Sequence, residues 1–199
     1  MAEFRPRAPR AACGEAGDAI FEMRAYAEGP DLKENLHMNK PRETITISKE
    51  DAVFWLDAEG RWHNEHGPFE HPRISAYFHA CIQRDADGYF VGQERDAVYE
   101  KVYFRYADTA LFVFGVEERD RATVLRLNTG QTIDLQPADL FVRDDHLYTH
   151  TAMGPARFNQ KSLMQIARRM EEQDGELCIR VGDARFKVPE TDQNPPHKF

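Results

Sequence analysis

The sequence has 199 residues, 30% of them charged and 41% hydrophobic, with a formal net charge of −8. This mix is typical of a globular chain, and its acidic balance argues against a general nucleic-acid-binding protein. The apolar runs are only strand-length and the N-terminal residues lack the apolar centre of a signal peptide, so we expect no membrane span and no export. Three cysteines without pair spacing indicate reduced thiols and a cytoplasmic location.

The chain begins with two segments that the composition separates from the rest. Residues 1–16 are rich in Pro, Arg, Ala and Gly, which predicts a disordered tail. Residues 17–43 are predicted to be a helical N-terminal extension, because Asp18 can cap a first short helix and a second can start at Asp31.

Residues 44–128 form the predicted first repeat with its connecting strands. A strand ends at Leu56, a returning strand starts at Arg61, and Gly67-Pro68 interrupts the pairing because proline cannot donate a ladder hydrogen bond. A helix is predicted from Pro72 to Gln83, since apolar residues recur there with helical spacing: Ile74, Tyr77, Phe78, Cys81 and Ile82. Hairpin turns and successive antiparallel strands follow up to Leu127.

Residues 129–189 form the predicted second repeat, and residues 190–199 a loose C-terminal tail. Leu140 to Arg143 and Leu147 to His150 are predicted to form a hairpin, followed by a second Gly-Pro loop. A helix is predicted from Asn159 to Glu172, with an inward stripe of Leu163, Ile166, Ala167 and Met170, and with Gly175 ending it.

The two repeats are recognised by turn residues that recur at a constant offset of 87 positions. The matched residues are Asp57 with Asp144, His63 with His150, Gly67-Pro68 with Gly154-Pro155, and Asp87-Gly88 with Asp174-Gly175. Such self-similarity predicts an internal duplication. Because the connecting loops are of hairpin length, the expected fold is α+β, with two related antiparallel-sheet subdomains that each carry one main helix.

The sequence contains none of the common phosphate-loop, dinucleotide, zinc-protease or serine-hydrolase motifs, so no cofactor can be named. A cluster of titratable residues leaves a metal-dependent or acid-base enzyme open as an alternative: His63, Glu65, His66 and His71. Its spacing fits no established ligand pattern, and polar residues are ordinary in loops. The sequence therefore leans away from an enzyme without deciding the matter.

Cationic residues occupy comparable positions in the two repeats: Arg73, Lys101, Arg105, Arg157 and Lys161. If the repeats pack face to face, these groups and the helix starts would attract an anionic ligand. The alternative is that each residue makes an ordinary surface ion pair.

Several short motifs, in this order, resemble the bacterial family called domain of unknown function 1285 (DUF1285). They are Trp62-His63, Pro68-Phe69 before a helix ending in Phe78, Asp87-Gly88-Tyr89, Asp108 before an apolar strand, and Asn128-Thr129. The resemblance covers Val53 to Val188. It implies two subdomains with a repeated motif, the second superficially like a pleckstrin-homology fold. It also implies a ligand site at their interface for a nucleotide-like molecule, and a role in signalling.

We therefore predict a ligand-binding or signalling module with an anionic small-molecule site between the repeats. Its predicted lining is Trp62, His63, Arg73, Lys101, Asp108, Asn128, Thr129 and Arg157. In this hypothesis Trp62 forms a wall, although core packing explains a tryptophan equally well. A protein-interaction module without a small-molecule ligand is a further alternative. The sequence names neither the ligand nor the oligomeric state.

Overall fold

The structure is a computed structural model that describes residues 43–95, 98–119 and 122–191. The predicted N-terminal tail and nearly all of the predicted helical extension therefore lie outside the described residues, as does most of the predicted C-terminal tail. The described residues belong to one compact unit, Asn39–Phe199. Within this part of the chain, neither helix is long and apolar enough to cross a bilayer.

The first half of the fold contains eight strands and one helix. In chain order these are β1 (Glu43–Ile47), β2 (Phe54–Leu56), β3 (Trp62–Asn64), β4 (Gly67–Pro68), α1 (Pro72–Ala80), β5 (Ile82–Asp85), β6 (Gly88–Arg95), β7 (Val98–Tyr103) and β8 (Arg105–Tyr106). They form two four-stranded sheets, with the orders β1-β7-β6-β5 and β4-β3-β2-β8. Pairing is antiparallel except where β1 meets β7 and β2 meets β8.

The second half contains the largest sheet and a smaller one. Its elements are β9 (Leu111–Arg119), β10 (Ala122–Leu127), β11 (Thr132–Asp134), β12 (Leu140–Arg143), β13 (His146–Thr151), β14 (Gly154–Phe158), α2 (Gln160–Ile166), β15 (Met170–Gln173), β16 (Glu176–Val181) and β17 (Ala184–Lys187). The sheets have the orders β11-β10-β9-β14-β13-β12 and β15-β16-β17. Two helices beside mostly antiparallel sheets confirm the predicted α+β class.

The two halves repeat the same succession of elements. Strands β2 to β4, helix α1 and strands β5 to β7 correspond in order to β12 to β14, α2 and β15 to β17. The pairing registers also correspond, because His63 lies opposite Pro68 and His150 opposite Pro155. Gly67-Pro68 and Gly154-Pro155 thus occupy the same place, at the start of the strand that precedes the helix. Both pairs take part in the ladder, so the predicted interruption of the pairing at Gly67-Pro68 was wrong.

Each half ends with residues that pair in parallel with an earlier strand. Strand β8 returns beside β2 in parallel, with Arg105 opposite Trp55. At the end of the second half, Glu190 returns beside Val142 of β12 in the same parallel sense. The amide of Thr191 also donates to the carbonyl of Val142 over 2.9 Å, so the first two residues of the predicted C-terminal tail contact β12.

The core is continuous between the halves. Leu56, Trp62 and Phe104 from the first half and Leu111 and Phe112 from the second are all at most 2% exposed and belong to one cluster. At the junction, a Cβ atom on Gly60 would meet the Phe112 ring at 2.8 Å. A glycine with a φ of 77° therefore lets the β2–β3 turn close over that ring.

Both helices are shorter than predicted. Helix α1 ends at Ala80 rather than at Gln83, because Ile82 enters β5, where it pairs with Val91. Helix α2 ends at Ile166 rather than at Glu172, since a 3-10 turn follows and Met170 pairs with Ile179 in the next sheet. In both halves, sheet pairing overrides the helical spacing of the sequence.

Two predicted roles around α2 were also wrong. Leu163 is 39% exposed and does not point into a core, whereas Ile166 is fully buried. Gly175 does not end the helix but forms the β15–β16 turn with Asp174, and both residues have positive φ angles.

Candidate functional site

An open groove of about 480 Å³ runs beside helix α1. One wall comes from the first repeat: Gly60, Arg61, Trp62, Pro68, Phe69, Pro72, Ser75, Ala76, His79 and Ala80. The other wall comes from β9, β10 and the turn after β10: Phe114, Arg126, Leu127, Asn128, Thr129 and Gly130. The groove therefore lies between helix α1 with strands β3 and β4 on one side and strands β9 and β10 on the other.

Helix α1 presents its small residues to the groove. Pro72 is suited to the first turn of the helix, where a missing N–H has no cost. Ser75, Ala76 and Ala80 then recur on the same side, while Phe78 on another side is buried in the core. Small side chains along one helix face leave room for a ligand to approach the backbone.

A β-bulge shapes the opposite wall. Arg126 lies opposite Gly115, but the next residue, Leu127, lies opposite Val113, so Phe114 has no partner across the ladder. Bulges redirect a side chain and often lie beside functional sites. Here the half-buried Phe114 ring packs edge-on against the ring of His79, with centroids 5.3 Å apart.

The floor of the groove contains a buried hydrogen-bond network centred on Asn128. Its Oδ1 accepts from the Phe112 amide at 3.0 Å, and its Nδ2 donates to the carbonyl of Ala110 at 2.9 Å and to Nδ1 of His79 at 3.0 Å. Burial lowers the pKa of His79 to about 4, against a smaller opposing effect of its bond to the Gly60 carbonyl. The imidazole is therefore neutral at pH 7, as its acceptor role requires.

Two buried polar atoms in the groove lining have no hydrogen-bond partner among the described residues. They are Nε1 of Trp62 and Oγ1 of Thr129. Buried polar atoms without partners are rare in proteins. The indole N–H of Trp62 can only donate a hydrogen bond.

The groove lining is cationic although the chain is acidic. Arg61 and Arg126 are exposed at its rim, and the described lining contains no Asp or Glu. Arg126 lies 3.8 Å from the Glu117 carboxylate, and its side chain is 44% exposed. Two cations without an acidic residue favour anions over cations at this surface.

The structure brings three of the eight predicted ligand residues to this groove: Trp62, Asn128 and Thr129. Trp62 is 1% exposed and packs edge-on against Phe54 and Phe104, so it belongs to the core and also lines the groove. The amide groups of Asn128 are all used within the protein, and the Thr129 hydroxyl is buried.

The other five predicted residues lie elsewhere and bind other protein groups or solvent. His63 bonds Asp57 at 2.8 Å, Lys101 bonds Asp85, Asp108 bonds Arg143 and Tyr148, and Arg157 donates to His146 at 2.9 Å. Arg73 is exposed on α1 outside the groove. These five residues do not converge on one site. Four of them bond other protein groups, and Arg73 is exposed.

Two of these pairs shift the pKa of a carboxyl group. The hydrogen bond from Lys101 is the main reason that the pKa of Asp85 falls to about 2. For Asp57, burial alone would raise the pKa, but bonds from the Arg61 and Glu59 amides and from His63 together lower it. Both carboxylates hold turns or strands in place.

The alternative metal or acid-base cluster does not assemble. His63 binds Asp57, His66 lies 3.4 Å from Glu65 at the surface, and His71 precedes α1 with no side-chain cap bond. Within residues 43–95, 98–119 and 122–191, no three His, Cys, Asp or Glu side chains are grouped to hold a metal ion.

Comparison with known proteins relates this architecture to solved structures. Neither a family model nor a curated protein matches the chain. A DUF1285 family protein from Silicibacter pomeroyi DSS-3 superposes with a TM-score of 0.54 and 18% identity, over 75% of this chain and 86% of that one. The two share a fold. A DUF1285 family protein from Shewanella baltica OS155 matches with a TM-score of 0.44 and 16% identity, over 58% and 91% of the chains.

The resemblance to the DUF1285 family that the sequence motifs indicate is thus confirmed at the level of the fold. It does not identify the groove. Sequence reasoning missed most of the lining, including Phe69, Ser75, His79, Phe114 and Arg126. The one available signal was the run of small residues on α1 beside its apolar stripe, since neither the bulge nor the strand order can be read from local spacing.

Proposed function

We propose that the chain is a ligand-binding or signalling module without catalytic activity, and that the groove beside α1 binds an anionic ligand. The observation that carries this proposal is the charge of the lining. A chain of net charge −8 has a groove with Arg61 and Arg126 and no described acidic lining residue. The nucleotide-like small molecule that the sequence predicts is one member of this ligand class.

The remaining lining supports the same class. Phe69, Phe114 and one edge of Trp62 provide apolar walls, as in most small-molecule sites. The indole N–H of Trp62 and the hydroxyl of Thr129 are buried polar groups of this lining without a partner among the described residues. The second hypothesis, an acid-base or metal enzyme at His63, has no comparable support.

Internal duplication is part of this proposal. It is supported by the equal order of elements in the two halves and by equal registers, such as His63 opposite Pro68 and His150 opposite Pro155. The likeness of the second half to a pleckstrin-homology fold remains a prediction. The free thiols of Cys81 and Cys178 support the proposed cytoplasmic location, because such thiols persist in a reducing compartment.

The experiment is a thermal-shift and calorimetric titration with nucleotides, small dicarboxylates and short acidic peptides. A ligand that binds only the native state raises the melting temperature of the full chain. The variant R61A/R126A should bind it at least about tenfold more weakly, since each charged contact contributes about 1 kcal/mol or more. The matched control is R180A/R185A, which removes two exposed arginines from the last sheet. If no anion binds, or if both variants lose binding equally, the proposal is wrong.

A further inference from the structure

The second repeat shows how a strand is held between a Gly-Pro strand and the helix that follows it. Strand β9 pairs in parallel with β14, with Leu111 opposite Ala156. Helix α2 lies against the same strand, because the Ser162 hydroxyl donates to the Val113 carbonyl at 2.6 Å and the Val116 amide donates to Oε1 of Gln165 at 2.9 Å. Strand β9 is thus held by strand β14 and by helix α2.

The first repeat has the same sheet edge and helix, but no strand between them among the described residues. Its sheet ends at β4, the counterpart of β14. Residues 69–71 correspond to residues 156–158, which pair with β9 in the second repeat. On α1, Ser75 and His79 correspond to Ser162 and Ile166 of α2, and both line the groove. The groove therefore includes the position that β9 fills in the second repeat.

We propose that this groove binds an extended segment of a partner protein, which adds to the first sheet as a strand parallel to β4. The inference rests on the proposed function. It identifies the anionic ligand as acidic side chains that belong to this segment. Strand addition at a free edge is a common mode of peptide recognition, in which the backbone gives affinity and alternate side chains give specificity. The small residues of α1, Ser75 and Ala76, leave room for the added strand.

Strand β9 also indicates the chemistry of the segment. Its residues 111–116 are apolar and are followed by Glu117 and Glu118, and Glu118 pairs with Arg169 at 2.5 Å. The groove offers apolar walls together with Arg61 and Arg126. The matching partner is an apolar extended segment with acidic residues beside it, because the groove has no described acid to repel them.

The probe is a labelled peptide with the sequence of residues 110–118, titrated into the full chain and followed by fluorescence anisotropy. We expect saturable binding by the native chain. A peptide of the same sequence with N-methyl groups on all its amides keeps its side chains and charge but cannot donate a backbone hydrogen bond from either edge. It should bind about tenfold or more weakly, the effect expected when several backbone bonds are lost.

The protein variant is Ala76→Trp, which fills the groove from an exposed helix position. Its control is Met164→Trp on α2, where the native side chain is 69% exposed and outside the groove. Only A76W should lose peptide binding, while both variants keep the circular dichroism and melting temperature of the native chain. Because the substitutions are at the surface, folding is preserved.

The outcomes separate this inference from the function on which it rests. Equal binding of the two peptides, equal binding by A76W and M164W, or no peptide binding at all would overturn strand addition. In those cases, small anions that still bind through Arg61 and Arg126 would leave the proposed function standing. If neither peptides nor small anions bind, both proposals are overturned.

Discussion

Asn128 donates from Nδ2 to Nδ1 of His79 across 3.0 Å, and this bond joins the turn after β10 to helix α1. Because Oδ1 of Asn128 accepts from the Phe112 amide, its Nδ2 must face the histidine. The imidazole can accept only while Nδ1 carries no proton. Protonation of His79 would place two donors face to face in a site that is 5% exposed.

The stability of the protein should therefore fall in mild acid. The unfolded chain protonates His79 near pH 6.5, whereas burial lowers its folded pKa to about 4. Between these values the unfolded state binds more protons, so the free energy of unfolding decreases as the pH falls. The full effect of this one group is about 3 kcal/mol, from 1.36 kcal/mol per pH unit over the window. Urea unfolding from pH 7 to pH 4, followed by tryptophan fluorescence, measures it.

The variant His79→Gln provides the control for this pH dependence. Other carboxylates with lowered pKa values, such as Asp57, also contribute in acid and remain in the variant. The difference in slope between the native chain and H79Q therefore isolates the histidine. Parallel slopes from pH 6.5 to pH 4 would show that His79 does not stay neutral in the folded state.

Replacing Asn128 should destabilise the protein strongly. Asn128→Ala leaves the Phe112 amide, the Ala110 carbonyl and the His79 ring without their partner in a buried site. We expect a loss of about 3 kcal/mol, since each buried unsatisfied group costs about 1 to 3 kcal/mol. The matched change Asn159→Ala removes only the cap bond to the Ser162 amide and should cost about 1 kcal/mol. Denaturant unfolding of both variants tests the order, and equal losses would contradict it.

Much of the fold was predictable because its signals are local. Turn residues such as Asp174-Gly175 and the Gly-Pro pairs mark the hairpins, and their recurrence predicts the equal succession of elements. Helix lengths were not predictable from spacing alone. Ile82 and Met170 continue a helical stripe in the sequence, but each is held in a strand by a partner, Val91 or Ile179.

The candidate site was only partly predictable, because it depends on contacts between distant elements. Trp62, Asn128 and Thr129 meet in the groove, but Lys101 is held by Asp85 from the neighbouring hairpin. No local pattern shows that pairing. The parallel contact of β9 with β14 is also invisible in the sequence, and so is the position of β4 at the edge of its sheet among the described residues.

The second Gly-Pro loop should be more sensitive to substitution than the first. Gly67 and Gly154 have φ angles of 121° and 124°, so an alanine strains both backbones equally. A Cβ atom on Gly67 meets nothing within 4 Å, whereas one on Gly154 would lie 2.5 Å from Arg84 Nη1 and from the Tyr89 hydroxyl. Those two groups donate to the Met153 carbonyl at 2.9 and 3.0 Å.

We expect Gly67→Ala to cost about 1 kcal/mol and Gly154→Ala about 1 to 3 kcal/mol more, because the latter also displaces the bonds to Met153. Thermal and urea unfolding of the two variants measure the difference. Since the backbone strain is common to both, the difference reports the contact of Arg84 and Tyr89 with the turn at Met153. Equal losses would show that Arg84 and Tyr89 move aside without cost.

The second repeat should not fold without the strand that precedes it. In a fragment of residues 131–189, β14 loses its parallel partner β9, and Ser162 and Ile166 of α2 lose the strand on which they pack. An open sheet edge and an uncovered apolar face favour aggregation. A fragment of residues 108–191 restores β9 and β10, the strands that pair with β14 and β11, and the closing pair of Val142 with Glu190. We expect cooperative unfolding, by circular dichroism and calorimetry, for the longer fragment only. A soluble, monomeric and cooperatively folded shorter fragment would show that β14 and α2 do not need β9. The contact of β9 with β14 would then be no guide to a strand added beside β4.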